Sequence, residues 1–312
     1  MEEKIFKTHN QQLKILRERG LHVPTTGSPK RILERENYYT IINGYKELFI
    51  DSPKTDTTEE QYKSGSKFKE IYTLYQFDCE LKSIFLKRIL RVENNIKSSI
   101  AYVFSQKHGH DNYLKAANFE TSGKIQNLQD VVYLIQKIQG NIAKNINKHG
   151  SIKHYMTKHG YVPLWVLMNI LTLGTVSNFY TLMKQPERQA ISKIYNISDA
   201  EMGKILGVLT LCRNICAHDE RLYNFNSPRI SIQNNPIHAK LCIPIGANGP
   251  INGKNDLFSI LISLKILLNN TDFNKMVSEI KKNLNQLDKE LETISITDIF
   301  NKMGFPFNWD KL

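Results

Sequence analysis

The sequence has few cysteines, no long apolar run and a shortage of acidic side chains. Its four cysteines among 312 residues show no disulfide-framework spacing, which favours a reducing cytoplasm. The most apolar stretch, residues 257–268, is interrupted by Lys265 and is too short to cross a bilayer, so no membrane segment is expected. Residues 1–4 contain acids and lead into no apolar run, which argues against a signal peptide.

The shortage of acids leaves 42 lysines and arginines against 30 acidic residues, a formal net charge of +12. Such an excess favours polyanionic partners, with nucleic acid ahead of an anionic membrane surface. A lysine-rich protein without such a partner is the alternative. Hydrophobic residues make up 41% and charged residues 23% of the chain, proportions typical of a globular protein.

Apolar residues recur every three or four positions, the period of amphipathic helices. The longest stripe covers residues 74–103, with a bend predicted near residues 94–95. A capping box, Ser198-Asp199-Ala200-Glu201, begins a helix with an apolar stripe from Met202 to Cys216. No series of strands follows, so the sequence predicts an all-α fold. Further helices are predicted over residues 11–19 (ended by Gly20), 28–35, 131–138, 163–174 (Pro163 in its first turn), 177–183, 186–195, 257–268 and 273–291.

The chain is interpreted as one domain, residues 1–312, with four parts. An N-terminal helical segment spans residues 1–60 and runs into a polar loop over 51–66. A helical core occupies residues 61–224. A loop region rich in proline and glycine follows over 225–256, with a short hairpin predicted between residues 229–232 and 240–243. C-terminal helices complete the chain over residues 257–312.

The candidate chemistry lies in residues 213–218, Arg-Asn-Ile-Cys-Ala-His. Asn214 and His218 are four residues apart and therefore share a helix face, with Arg213 on the adjoining side. His218 falls at the helix C-terminus beside Asp219, where the helix dipole and a carboxylate favour the imidazolium. A histidine of this kind is suited to general acid–base catalysis.

Cleavage of RNA needs groups of these types. One group accepts the proton of the attacking 2′-OH, another protonates the leaving 5′-oxygen, and a guanidinium neutralises the phosphate. The route requires no metal ion or other cofactor, leaves a 2′,3′-cyclic phosphate and spares DNA. Because one chain holds one such segment, whereas acid and base are most simply two histidines, we expect a composite site at a homodimer interface. Taken alone, Arg-x4-His is a weak signal, and a surface arginine with a helix-capping histidine is the alternative.

Residues 213–224 are one of several distinctive blocks spread over nearly the whole chain. The other blocks are Gln12-Leu13, Arg19-Gly20-Leu21, Asn37-Tyr38-Tyr39, Gly44-Tyr45, Leu74-Tyr75-Gln76-Phe77-Asp78 with Leu81, Val92-Glu93, Pro163-Leu164-Trp165, Leu173-Gly174-Thr175-Val176-Ser177 and Gly304-Phe305-Pro306-Phe307-Asn308-Trp309. Together they resemble the Abi-like abortive-infection proteins (the AbiD/AbiF group), a branch of the HEPN superfamily.

The resemblance implies a HEPN-like helical bundle, dimerisation and metal-independent RNA cleavage in bacterial phage defence. It implies that Arg213 and His218 are the catalytic pair and Asn214 the intervening polar residue, and it makes a structured noncoding RNA a plausible partner. Some HEPN toxins carry a tyrosine two residues after the histidine, where this chain has Glu220. Many HEPN proteins bind RNA without cutting it, so a non-catalytic RNA-binding protein is the alternative function.

Other residues are candidates for weaker roles. Glu93 either orients Arg213 or His218 or pairs with a nearby lysine. The histidines at 108, 110, 149, 154 and 159 are expected to be solvated, and Tyr38, Tyr39 and Tyr45 either stack on RNA bases or pack in the core. Supporting residues near the motif are Arg221, Tyr223 and Asn224. Candidate RNA contacts are Lys14, Arg17, Lys30, Arg31, Lys144, Lys148 and Lys153.

A zinc site is a competing interpretation of the same region. Cys212-x3-Cys216 and His238-x3-Cys242 supply four side chains of the types that bind zinc. Against this, both Cys212 and Cys216 fall on an apolar helix stripe, where cysteine is commonly a core residue. No metal site is therefore expected.

Overall fold

The computed structural model describes residues 5–55, 58–122 and 125–312, and helices dominate this part of the chain. The all-α prediction is confirmed, while residues 1–4, on which the argument about a signal peptide rested, lie outside the described residues. The helices are α1 (His9–Glu18), α2 (Ser28–Arg35), α3 (Phe68–His108), α4 (Ile125–Asn145), α5 (Gly150–His159), α6 (Leu164–Leu167), α7 (Leu173–Leu182), α8 (Gln185–Ser192), α9 (Asp199–Ala217), α10 (Pro236–Lys240), α11 (Leu257–Leu267), α12 (Asn270–Asp288) and α13 (Ile296–Met303).

Helix α3 is the central element, because α6, α8, α9, α11 and α12 all pack against it. It is a single helix of 41 residues that runs without a break through residues 94–95, where the sequence predicts a bend. The predicted apolar stripe is its buried face, and α9, which carries residues 213–217, packs against α3. The buried stripe residues are Leu74, Phe77, Leu81, Phe85, Ile89, Val92, Ile96 and Ile100.

Gly20 ends α1 as predicted. Its φ of +87° is the left-handed conformation that glycine adopts most readily. The N–H of Leu21 donates to the carbonyl oxygen of Leu16 at 3.0 Å, and the N–H of Gly20 donates to that of Arg17 at 3.0 Å. This pair of bonds is a Schellman motif, and it satisfies two carbonyl groups at the end of the helix.

Two regions predicted as loops contain small antiparallel hairpins. Strand β1 (Ile50–Ser52) pairs with β2 (Gln61–Tyr62) within the polar loop, whose positions 56 and 57 lie outside the described residues. Strand β3 (Ile245–Gly246) pairs with β4 (Gly249–Pro250). The hairpin predicted between residues 229–232 and 240–243 is wrong, because Pro236 begins helix α10 in its place.

The helix predicted over residues 163–174 is also wrong in detail. Pro163 precedes α6 as its N-cap, and α6 passes into a 3-10 turn and ends before Leu171. Thr172 then begins α7, and its hydroxyl accepts from the N–H of Thr175. Gly174 lies inside α7, where a Cβ atom would stand 3.2 Å from the Thr210 methyl group. The glycine thus permits close packing of α7 on α9.

The terminal helices agree with the predicted order. Helix α11 is buried around nearly its whole circumference, while α12 is amphipathic and packs along α3. Helix α13 was not predicted, although Ser295 and Asp298 form a capping box at its start. Among the residues that the structure describes, no helix has both the length and the apolarity needed to cross a membrane.

Candidate active site

Helix α9 carries residues 213–217 and begins where the sequence predicted. The hydroxyl of Ser198 accepts from the N–H of Glu201 at 3.1 Å, so the N-cap is confirmed. The reciprocal bond expected from Glu201 is wrong, since its Oε1 atom is buried without a partner and burial raises the pKa of the carboxyl group. The buried stripe of α9 is Met202, Ile205, Leu206, Val208, Leu209 and Cys212.

The end of α9 is defined by a left-handed residue directly after His218. The N–H of His218 donates to the carbonyl oxygen of Asn214 at 2.9 Å, the last bond of the helix. Asp219 has a φ of +56°, and the N–H of Glu220 donates back to the carbonyl of Ile215 at 3.1 Å. Aspartate tolerates this conformation better than most residues, which explains a sharp helix end without glycine.

The three predicted catalytic side chains lie at the surface of this helix end. Asn214 and His218 are exposed and Arg213 is half-buried, with its Nε atom shielded from solvent. Within residues 5–55, 58–122 and 125–312, none of the three side chains makes a hydrogen bond or an ion pair. The groups are therefore available to a ligand.

The chain just beyond the motif is fixed by Asp78 of α3, whose carboxyl group is fully buried. Its Oδ1 atom accepts from the N–H of Tyr223 at 2.7 Å. Its Oδ2 atom accepts from the N–H of Leu222 at 3.0 Å and from the hydroxyl of Tyr45 at 2.7 Å. Burial raises the pKa of Asp78, while these donors and the neighbouring Lys82 act in the opposite direction. We call Asp78 and its three donors the Asp78 anchor.

Lys82 adds a second link between α3 and the end of α9. Its side chain is buried, and its ammonium group forms an ion pair with the exposed carboxylate of Asp219. Burial lowers the pKa of Lys82, but Asp219 together with Cys79 and Asp78 outweighs this and holds the pKa above its usual range. The carboxylate of Asp219, expected beside the imidazole of His218, thus makes its ion pair with Lys82.

The supporting residues after the motif have structural contacts. Tyr223 is buried and stacks on Tyr45 with ring centroids 5.6 Å apart. Arg221 is exposed and donates from Nη1 to the carbonyl oxygen of Gly44 at 2.9 Å. Asn224 is half-buried at the edge of a surface depression between Glu47 and the 251–256 loop. Tyr45 and Tyr223 therefore pack in the core and do not stack on a ligand.

Glu93 pairs with a lysine and does not contact the motif. Its Oε1 atom lies 2.6 Å from Nζ of Lys97, one turn further along α3. It stands eleven residues from Lys82, or about 16 Å along the helix. The alternative in which Glu93 pairs with a lysine is confirmed. Among the described residues Glu93 makes no hydrogen bond or ion pair with Arg213 or His218, so its orienting role stays a prediction.

The predicted RNA-contact residues differ in whether their side chains already make hydrogen bonds or ion pairs within the chain. Arg17 donates to the carbonyl oxygens of Val23 and Pro24, so its guanidinium braces the backbone. Lys14 and Lys30 each pair with a glutamate four residues further along their helices, in exposed ion pairs worth little. The remaining four are exposed, and no hydrogen bond or ion pair to their side chains is seen within the described ranges. These are Arg31, Lys144, Lys148 and Lys153.

The side chains considered for zinc have other surroundings. Cys212 is fully buried, and burial raises the pKa of its thiol, which disfavours the thiolate that binds metal. His238 is buried, with Nε2 3.0 Å from the carbonyl of Gly253 and Nδ1 accepting from the N–H of Asn235. The described residues contain no group of three or more His, Cys, Asp or Glu side chains placed to hold a metal ion.

Asp78 and Lys82 are the site residues that the sequence interpretation missed. The sequence does indicate that Asp78 is unusual. It lies four residues after Leu74 and three before Leu81, at a position inside the apolar stripe of α3. A carboxylate at such a position is costly to bury unless hydrogen-bond donors surround it. Two of the three donors come from residues 144 and 145 positions away and the third, Tyr45, lies 33 positions away, so the pattern indicates an anchor without naming its partners.

One family model matches the sequence of this chain. The family model described as Abi-like protein matches residues 31–224, well over half of the chain, and the match contains both the Asp78 anchor and the motif. The chain belongs to the Abi-like protein family, whose membership indicates a role in abortive infection, a form of phage resistance. Neither a curated protein nor a solved structure matches the chain.

Proposed function

We propose that this Abi-like protein is a metal-independent endoribonuclease of phage defence, with Arg213, Asn214 and His218 at its catalytic centre. The observation that carries the proposal is the contrast at the end of α9. The backbone is fixed there by buried contacts to Asp78, whereas the three reactive side chains have no partner among the described residues. Rigid support of free functional groups is what general acid–base catalysis requires.

The roles follow from the chemistry of each group. Arg213 offers a planar guanidinium that is always charged and binds a phosphate through two donors. His218 either accepts the proton of the 2′-OH or protonates the 5′-oxygen as it leaves. Asn214, on the same face as His218, is placed to hydrogen-bond a nucleotide. The products are a 2′,3′-cyclic phosphate and a 5′-hydroxyl end.

A composite site between two copies of the chain is part of the proposal. One chain supplies one His218, and the second proton transfer needs another group. Leu211 supports an interface at this face. It lies three residues before Asn214 and seven before His218, so all three share a helix face. Its side chain is apolar and yet 36% exposed. A second copy that covers Leu211 would bring two motifs together about a two-fold axis.

The first experiment compares wild-type protein with His218→Ala on a single-stranded RNA in the presence of EDTA. We expect wild type to cut and the variant to lose about 10²–10⁴-fold in rate. His22→Ala is the matched control, because His22 is also exposed but lies on the N-terminal segment. Cleavage that needs a divalent metal, or that survives His218→Ala, contradicts the proposal.

The same variant separates the nuclease from a non-catalytic RNA-binding protein. If His218→Ala still binds RNA but no longer protects cells in a phage plaque assay, protection depends on catalysis. If protection and RNA binding both persist, the protein acts by binding and the nuclease proposal fails. Sequencing the RNA that co-purifies with His218→Ala tests for a bound noncoding RNA.

The composite site is tested by mixing subunits. Wild type and His218→Ala are unfolded together in equal amounts and refolded, so that the chains pair at random. About a quarter of the dimers then hold two copies of His218, and activity should fall to about that fraction. Activity of one half, as for independent subunits, contradicts the composite site. Leu211→Arg is expected to give an inactive monomer.

A further inference from the structure

Five aromatic rings contact one another in series across the surface formed by α5, α6 and the end of α3. The ring of His154 lies 6.2 Å from His159, and His159 lies 6.1 Å from Tyr161. Tyr161 lies 5.3 Å from His110, which lies 5.7 Å from Trp165. A hydrogen bond of 2.9 Å between Nε2 of His110 and the Tyr161 hydroxyl fixes the middle of the series. We call these five rings the aromatic strip.

The strip is open to solvent and leads into a cleft. His154, His159 and Trp165 are exposed, and the other two rings are half-buried. Beyond Trp165 a cleft of about 830 Å³ lies between α3 and the Trp165–Asn169 region, with Tyr102, 69% exposed, also in its lining. Core packing does not explain the three exposed rings of this series.

The stretch of sequence that carries four of the five strip residues contains lysines and no acids. Between Asp130 and Glu187 there is no acidic side chain over 56 residues. Lys158 lies one helical turn after His154 on α5 and so stands beside the strip. The acids closest in sequence to the cleft residues are Glu93, which pairs with Lys97, and the exposed Asp111. The lysines of this acid-free stretch are Lys137, Lys144, Lys148, Lys153, Lys158 and Lys184.

We propose that the aromatic strip and its cleft bind unpaired bases of single-stranded RNA. Every base has a π face, and flat aromatic side chains flanked by cations are the common way to bind single strands. The inference rests on the proposed function, because it names where the RNA substrate is held. Tyr102 is twenty residues from Lys82, or about 30 Å along α3, so the strip holds RNA away from the motif.

The test measures binding and not cleavage. A labelled single-stranded RNA of about twelve nucleotides is titrated into His218→Ala, by fluorescence anisotropy, with and without Trp165→Ala. Loss of one stacking ring should weaken binding by about 5- to 100-fold. Trp165→Phe, which keeps an aromatic face, should restore most of the affinity. Phe307→Ala is the matched control, since Phe307 is 94% exposed and makes no aromatic contact among the described residues.

The fluorescence of Trp165 provides a second test of base stacking. Of its two tryptophans, Trp165 is half-exposed whereas Trp309 is buried. Quenching of tryptophan fluorescence by the RNA should therefore be lost in Trp165→Phe and kept in Phe307→Ala. An RNA duplex of the same length should bind more weakly, because its bases are already stacked.

Several outcomes overturn the proposal. Unchanged affinity of Trp165→Ala, or no quenching at saturating RNA, removes the strip from RNA binding. Equal or tighter binding of the corresponding single-stranded DNA overturns the assignment to RNA. The test is independent of catalysis. If wild type fails to cut RNA while Trp165→Ala binds weakly, the nuclease fails and the strip stands. If wild type cuts and Trp165→Ala binds normally, the strip fails alone.

Discussion

Replacing Asp78 with alanine should destabilise the protein by about 3–9 kcal/mol, because it strands three buried donors and each costs about 1–3 kcal/mol. The substitution removes the acceptors of three hydrogen bonds, from Leu222 N–H, Tyr223 N–H and the Tyr45 hydroxyl. Leu222 and Tyr223 are fully buried, so water cannot replace the lost acceptor without opening the core. Domains are commonly stable by only about 5–15 kcal/mol, so the loss is a large share of the total.

Urea unfolding followed by far-ultraviolet circular dichroism measures this loss from the shift in midpoint. Glu80→Ala is the matched control, since Glu80 is exposed two residues further along α3. It should change the free energy of unfolding by less than about 0.5 kcal/mol. A loss below about 1 kcal/mol in Asp78→Ala would refute the anchor. If Asp78→Ala does not fold, the tyrosine pair below tests the same contact.

Tyr45→Phe and Tyr223→Phe form that pair. The two rings stack on each other in the core, but only the Tyr45 hydroxyl donates to Asp78. The Tyr223 hydroxyl is buried with no partner among the described residues. Tyr45→Phe should therefore cost about 1.5–3 kcal/mol, while Tyr223→Phe should be neutral or slightly stabilising. Equal losses in the two variants would contradict the assigned hydrogen bond.

Two further predictions concern the C-terminal part. Gly304→Ala should cost about 2–5 kcal/mol, because Gly304 has a φ of +69° and a Cβ there would stand 2.2 Å from Oδ2 of Asp256. Gly150→Ala, with open space at that position, should change stability by less than about 1 kcal/mol in the same unfolding assay.

Burial raises the pKa of Asp256 to about 6 despite its backbone hydrogen bonds. At pH values between about 4 and 6 the folded state therefore holds a proton that the unfolded state has released. The free energy of unfolding of wild type relative to Asp256→Asn should therefore fall by about 3 kcal/mol as pH rises from about 3 to about 7, and a flat or rising difference would contradict the burial argument.

The helices predicted best from the sequence are those with strong local signals. The stripe of α3, the N-cap at Ser198 and the left-handed Gly20 all depend on contacts within a few residues. The hairpin predicted over residues 229–243 is wrong because a helix starts inside that stretch. Asn235 followed by Pro236 is such a start, since asparagine caps the helix and proline needs no N–H there.

The break between α6 and α7 was harder to predict from the sequence. Apolar residues continue through residues 164–174, so periodicity alone predicts one helix. The structure ends α6 because Leu171 is extended and Thr172 begins a new helix that lies against α9. The new helix brings Gly174 close to Thr210, a contact between residues 36 positions apart in the chain. Local propensity carries no information about such a contact.

The same reasoning explains why the candidate site was only partly predicted. The spacing of Arg213, Asn214 and His218 is local and could be read directly from the chain. What holds them is not local, because the anchor joins Asp78 to backbone amides 144 and 145 residues away. The sequence identifies only the acid, because a carboxylate buried in an apolar stripe requires hydrogen-bond donors. It does not identify the residues that supply them. A charged residue inside an apolar stripe therefore indicates an anchor for a distant segment. In this chain the anchored segment is the one directly after the motif.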